Sequence, residues 1–225
     1  DLNLVSNVEL SELNIKNQNL IKEYLPKTKD ILNLKDHKIR ASYANKKLKI
    51  EGKGQVKLQN KFEFIDYEVV HSGSDLNLVS NIELSELDIK NQNLIKEYLP
   101  KTKNILNLKD HKIKLQYKDS NLSVEGLGKI SLDKEFNKIN YTFSKKDKKY
   151  NFETDLEIND TPIKIDFINY EKDKNLNSQL KINGNYNKKF GLDLKKISIF
   201  SKNNRISIDD LIIDGKNKIV KVDKT

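Results

Sequence analysis

Few residues in this chain are of types and spacings suited to chemistry. The string "KDHK" occurs twice, setting Asp36 beside His37 and Asp110 beside His111, and His71 is the third histidine. A carboxylate next to an imidazole is the raw material of a metal site or an acid–base pair. On an extended chain, however, adjacent side chains point to opposite faces, and no third ligand stands at metal-binding spacing. The reading is a solvated turn histidine in both copies. Asp209 and Asp210 have the types of a carboxylate pair, but no cleft partner is identifiable, so they read as a solvated edge. "EGKG" and "EGLG", at 51–54 and 125–128, lack the G-x-x-x-x-G-K-[ST] spacing of a phosphate loop and read as bulges or sharp bends. The lysine-rich "KKDKK" at 145–149 is suited to lipid head groups, although a turn tip of this kind is more often solubilising. No Ser/His/Asp order suggests a nucleophile, and the absence of cysteine removes thiolate metal sites and disulfides. The expectation is a protein that is not an enzyme, with no catalytic residue, no metal and no cofactor.

The elements that carry these residues are organised by a duplication. Shifted by 74 positions, residues 1–39 match 75–113 except at Val8/Ile82, Asn14/Asp88 and Asp30/Asn104. Beyond that the identity falls but the pattern continues: Glu51, Gly52 and Gly54 face Glu125, Gly126 and Gly128. Residues 1–70 read as a first copy of the module. "HSGS", at 71–74, reads as a flexible polar joint. Residues 75–225 read as a second copy continued by an extended antiparallel sheet. The spacing exceeds that of small solenoid repeats.

Within each copy, "DLNLVSNVELSELNI" alternates as one or two short strands. "NQNLIKEYLP" follows, with Leu20, Ile21, Tyr24 and Leu25 on one helical face, Asn17 as cap and Pro26 as stop. This predicts a short helix over 18–25 and its repeat near 92–99, capped by Asn91, as an end-piece beside the sheet. From residue 113 onward the hydrophobic period is two. Turns such as "KDSN", "NDTP" and "NGN" are too short for parallel crossovers. The fold class expected is mainly β, a curled antiparallel meander forming a groove-like sheet, with two short helices in the repeated modules. About ten strands of roughly 5–6 residues are anticipated.

Composition agrees with a two-faced sheet. Charged residues make up 33% and hydrophobic residues 36%, as expected where one face is wet. The net charge of +9 comes almost wholly from lysine, with Arg40 and Arg205 the two arginines. Scarce arginine and the lack of a stacking motif argue against nucleic acid. No apolar run approaches the ~20 residues of a membrane span. The chain does not begin with Met, which reads as a processed or excised piece whose membrane anchor lies elsewhere.

One face of such a sheet must be covered. Alternation assigns Leu115, Val124, Ile130, Leu132, Tyr141, Phe152 and Leu156 to the apolar side. It assigns Ile158, Ile163, Ile165, Phe167, Leu180 and Ile182 there as well. These residues either fill a closed interior or line a trough. Pattern alone leaves both readings open and favours the closed core.

Three stretches resemble a known family. "ELSELDIKNQNLIKEYLP" at 83–100 resembles the Tyr-Leu-Pro element of the YhdP-like branch of the AsmA-like proteins. "LSVEGLGKISLDKEFNKINYTFSKKDKKYNFETDLEI" and the tail "ISIFSKNNRISIDDLIIDGKNKIVKVDKT" resemble its short-strand repeats. The resemblance implies a periplasmic segment of a Gram-negative envelope protein, anchored in the inner membrane. In that setting a hydrophobic β-groove binds or conducts phospholipid between the two membranes. The partners implied are phospholipid acyl chains, lining residues 115–182 above, and envelope proteins at the sheet edges. The alternative is a structural or adhesive β-module with a closed core, acting through protein contacts.

Overall fold

The computed structural model describes residues 3–16, 25, 27–91, 102–159, 161–165, 169–174, 176–187, 189–202, 204–216 and 218–223. The first module contributes β1 (Leu4–Lys16), β2 (Ile31–Ala44), β3 (Lys47–Lys57) and β4 (Phe62–Ser72). The second repeats these as β5 (Asp75–Lys90), β6 (Ile105–Lys118), β7 (Asn121–Ser131) and β8 (Phe136–Lys146). The chain continues through β9 (Lys149–Ile158), β10 (Ile163–Ile165), β11 (Tyr170–Lys172) and β12 (Ser178–Asn187). It ends with β13 (Gly191–Ser201), β14 (Asn204–Ile213) and β15 (Ile219–Lys221).

Thirteen of these strands form one antiparallel sheet, ordered β1 to β9 and then β12 to β15, with β10 and β11 as a separate pair. At ~4.8 Å per strand the sheet is about 60 Å wide. It is not closed: β1 and β15 are its two edges. The mainly β meander is therefore as expected, but its strands are longer than the roughly 5–6 residues anticipated. β5 alone runs for 16 residues, because no proline interrupts it and its one irregularity is absorbed within the strand.

Two-residue turns explain the meander. Asn45 and Lys46 both have positive φ (51° and 60°), as do Asp119 and Ser120 (49° and 64°), the pattern of type I′ turns, whose twist suits a hairpin. The 71–74 segment also turns in two residues, with positive φ at the first of them alone. Ser72 pairs with Asp75, and Gly73 takes φ of 61°, a conformation open to glycine. The sheet thus runs without interruption from one repeat into the next.

The expected short helices are not found. No helix occurs among the described residues, and Leu25 lies in irregular chain whose carbonyl accepts the Thr28 amide at 3.0 Å. The remainder of 17–24, with 26 and 92–101, lies outside the described residues. Asn91, expected as a helix cap, has another task. Its Nδ2 donates to Thr102 Oγ1 at 2.9 Å and to the Lys103 carbonyl at 2.8 Å, and its amide donates to the Asn104 carbonyl at 2.9 Å. It ties the two ends of the β5–β6 connection together.

One part of the buried core runs along the ends of the strands that carry the long connections, and a second part, Leu194, Leu211 and Ile213, lies toward the opposite ends of β13 and β14. Leu84, Leu87, Leu106, Leu108, Ile130, Leu132, Leu156 and Ile158 join Ile163 and Ile165 of β10 in one cluster. The 159–177 connection therefore brings its own apolar residues onto the sheet. Lys172, 1% exposed, anchors it. Its Nζ donates to the carbonyls of Asn159, Thr161 and Asp173, each at 3.1 Å. An ammonium buried this deeply is tolerated because carbonyl oxygens replace its water. Lys172→Met keeps the length of the side chain but strips the donors from three carbonyls. It is expected to destabilise the fold by about 1–3 kcal/mol, with limited proteolysis cutting first within 159–177. Unchanged cleavage and an unchanged denaturation midpoint would show that the clamp carries no load.

Candidate functional site

Cross-strand register puts the apolar side chains on one side of the sheet, since residues directly opposite share a face. One row reads Ser80, Leu115, Val124, Phe143, Phe152 and Gly184 from β5 to β12. The next reads Ile65, Ile82, Ile113, Gly126, Tyr141, Thr154, Ile182, Ile197 and Ile208 from β4 to β14. Leu156, Leu180, Ile199 and Ile206 form a third.

The residues expected on the apolar face divide into two groups. Ile130, Leu132, Leu156, Ile158, Ile163 and Ile165 are buried in the core. Leu115, Val124, Tyr141, Phe152, Leu180 and Ile182 are half-buried. Phe167 lies outside the described residues. On β5 to β9 the face is thus sealed toward the long connections and partly accessible toward the two-residue turns, whereas on β13 and β14 Leu194, Leu211 and Ile213 are buried toward the other end as well.

The opposite face is polar and ion-paired. Glu51 and Glu68 stand directly opposite each other on β3 and β4. Lys49 Nζ lies between them, 2.8 Å and 2.9 Å from their carboxylates. The Lys49 pKa is accordingly raised by its hydrogen bonds to the two carboxylates, and that of Glu51 is lowered by its bond to Lys49. An open hollow of about 770 Å³ lies on this polar side, lined by Asp66, Lys112, Glu125, Thr142, Glu153 and Asp155 among others. The sequence reading looked for hollows on the apolar side alone.

The histidines correct that reading most clearly. His37 and His111 are not in solvated turns; they are 2% and 1% exposed, within β2 and β6. Each follows an aspartate in the left-handed region, Asp36 at φ 54° and Asp110 at φ 55°. Aspartate tolerates this conformation better than most residues. The pair forms a bulge against the next strand, where the register jumps between Lys35 and Lys38 and between Lys109 and Lys112. Two residues there oppose one, Gly54 or Gly128, and the extra residue turns the imidazole onto the apolar face.

Both repeated glycines now have a physical reason. A Cβ on Gly128 would lie 2.3 Å from His111 Cδ2, and one on Gly126 would lie 2.2 Å from Tyr141 Cζ. Gly54 and Gly52 stand likewise beneath His37 and Tyr67. Each ring lies flat over a bare stretch of backbone, which is how an aromatic compensates a glycine within a strand. His111 Nε2 is 2.9 Å from the Lys129 carbonyl and Nδ1 is 3.4 Å from Tyr141 Oη. Nε2–H donates to the carbonyl, so Nδ1 accepts from the tyrosine and the ring is neutral. Burial lowers the His111 pKa, opposed by the bond to the Lys129 carbonyl and the charge of Asp110; burial raises that of Tyr141. In the first copy His37 Nε2 is likewise 3.0 Å from the Gln55 carbonyl, while its Nδ1 has no hydrogen-bond partner among the described residues.

The arrangement packs each imidazole into the sheet and hydrogen-bonds it to the adjoining strand. Among the described residues no group of three His, Asp or Glu side chains is placed to hold a metal. Asp209 and Asp210 lie on β14 in ion pairs, Asp210 with Lys195 at 3.3 Å and Asp209 with Lys196 at 3.9 Å. Gly-x-Gly one strand away from Asp-His was present twice in the sequence. The signal that would have revealed the notch was the coupling of those two repeats with a tyrosine thirteen residues beyond the second glycine. Comparison with known proteins adds no relative, since no family model, no curated protein and no solved structure gives a significant match.

Gly128→Ala is expected to cost about 1–3 kcal/mol by overpacking, whereas Gly215→Ala, with nothing within 4 Å, leaves the urea midpoint unchanged. Equal midpoints for the two variants would contradict the notch. A second expectation concerns pH. The folded state resists protonation of His111, so the unfolded chain binds the extra proton once pH falls below its ordinary value of 6.5. The stabilisation is complete above that pH and is lost on acidification. His111→Gln is expected to flatten the fall in melting temperature between about pH 7.5 and 5.5. A slope identical to that of the unaltered protein would assign the pH dependence to other groups.

Proposed function

We propose that this protein is a non-enzymatic lipid-binding β-sheet that holds phospholipid acyl chains along the accessible part of its apolar face. The observation that carries this reading is the row Leu115, Val124, Phe143 and Phe152. It is half-buried and unbroken across four strands, and of its four residues Phe152 alone packs against the buried core cluster. Four neighbouring strands at ~4.8 Å give a band of about 15 Å, close to one leaflet of hydrocarbon, half of the ~30 Å bilayer core.

Polar groups sit where a head group would be. Lys145 pairs with Leu122 and Tyr150 and so shares the parity of the apolar face. Its Nζ lies 6.0 Å from the Tyr150 ring centroid. Lys146, Lys148 and Lys149 cluster at the adjoining turn. Lysine ammonium groups there favour an anionic phosphate, while tails run over the row toward the sealed end. The resemblance to AsmA-like proteins agrees with this reading. It extends the proposal to a periplasmic segment of an inner-membrane-anchored protein that passes phospholipid between the membranes.

The test compares two charges on opposite faces. Val124 lies in the row, and Val79 lies on the polar face, opposite Glu68 and Gln116. Val124→Asp and Val79→Asp are each incubated with phosphatidylglycerol vesicles and re-isolated, and bound lipid is counted by mass spectrometry. The unaltered protein and Val79→Asp are expected to retain lipid, while Val124→Asp loses most of it with an unchanged far-ultraviolet spectrum. A single charge there costs on the order of 2–3 kcal/mol in hydrocarbon. Lipid-free protein in all three samples, or equal loss from both variants, would contradict the proposal.

A further inference from the structure

The two edges of one repeated strand have different fates. β5 has β4 on one side and β6 on the other, whereas β1, identical to β5 over residues 4–16 except at Val8 and Asn14, pairs with β2 alone. Among the described residues nothing pairs with its outer edge. Half of its backbone N–H and C=O groups face outward there. The exposure of the same side chains differs accordingly: Leu13 is 42% exposed and its counterpart Leu87 is 6%.

The structure shows in detail what satisfies this edge when it is occupied. Phe64–Ser72 lie along Asp75–Glu83 in continuous register. Ser80 Oγ donates to the Asp66 carbonyl and Asn81 Nδ2 to the Asp66 carboxylate, each at 2.8 Å. Where β4 diverges, side chains take over from the ladder. Glu63, 3% exposed, accepts from the Ser85 amide at 2.6 Å and from Ser85 Oγ at 2.9 Å. Gln59 imitates a peptide unit, donating to the Asp88 carbonyl at 2.8 Å and accepting from its amide at 2.9 Å. Every recognising group of β5 recurs in β1. Ser6, Asn7 and Ser11 stand for Ser80, Asn81 and Ser85, and the Asp88 contacts use backbone that Asn14 also has.

We propose that the open edge of β1 is a docking edge for a strand of the Gln59–Ser72 type carried by another module in which that strand has a free edge, so that modules of this type stack strand to strand in the order seen between β4 and β5. Within this chain Gln59–Ser72 is already flanked by β3 and β5. The specificity is built into the segment. Its counterpart in the second repeat, 133–146, has Asp133 in place of Gln59 and Asn137 in place of Glu63. Asp133 has no N–H to give to a strand carbonyl, and Asn137 is a methylene shorter and uncharged. The edge therefore accepts the first type of segment and refuses the second.

The experiment uses the full chain and two synthetic peptides of equal length, QNKFEFIDYEVVHS (59–72) and DKEFNKINYTFSKK (133–146), read by amide hydrogen exchange. The 59–72 peptide is expected to slow exchange in Val5–Asn14 by about tenfold or more, and the 133–146 peptide leaves it unchanged. Ser6→Ala in the chain is expected to weaken that protection. Protection by both peptides alike, by neither, or at Ile219–Lys221 in place of β1 would overturn the proposal.

Discussion

The fold depends on keeping one phase across a very wide sheet. Side chains alternate with a period of two, so a slip of one residue in any strand would carry its whole apolar set to the wet face. The register holds from Leu4 opposite Tyr43 to Leu192 opposite Ile213, and the irregular positions are where the phase is reset. At the Asp36–His37 and Asp110–His111 bulges one extra residue is admitted, and the imidazole fills the space above a glycine. The lines of apolar residues continue beyond the bulge, Leu34 with Val56 and Leu108 with Ile130. A side chain at those glycines would leave the ring no place to lie. Burial of each large aliphatic side chain, worth about 1.5–3 kcal/mol, rewards this phase and no other.

That constraint divides the molecule along the strands. Toward the long connections, chain ends are tied by Asn91 and Lys172, and the aliphatic side chains are sealed. Toward the two-residue turns that join β4 to β5, β6 to β7 and β8 to β9 there is no connection long enough to fold back, so Leu115, Val124 and Phe152 are left half-covered. The distinction between core and accessible face is thus a consequence of loop length. It is also where the lipid-binding reading and the closed-core reading part. The first needs the half-covered rows, and the second would need them packed as tightly as Leu106 or Ile158.

The strand order and the apolar parity were legible in the sequence because both are local. Alternation marks a face, and "KDSN", with Asp119 and Ser120 at its turn, marks a hairpin, although "NGN", expected as a turn, lies inside β12. The histidines were misread because a solvated turn and an in-strand bulge share the same composition. Asp-His in a polar neighbourhood says nothing of the glycine on the adjoining strand that gives the ring its seat. Apolar spacing over 18–25 and near 92–99 pointed to helices, yet Asn91, assigned as the cap of the second, closes a connection through Thr102. The burial of Lys172 had no signal at all, since its three carbonyl partners are backbone groups. Glu63 and Gln59 were invisible for a related reason: their partners are the unpaired amides and carbonyls of a strand whose neighbour has turned away.

The account stands or falls on whether acyl chains occupy the half-covered rows. The most direct measurement is paramagnetic broadening of methyl resonances by a phospholipid carrying a nitroxide on its acyl chain. The methyls of Leu115, Val124 and Ile182 are predicted to broaden, while those of Ile158 in the core and Val79 on the polar face stay sharp. Broadening confined to Val79 and its neighbours, or none on either face, would contradict it.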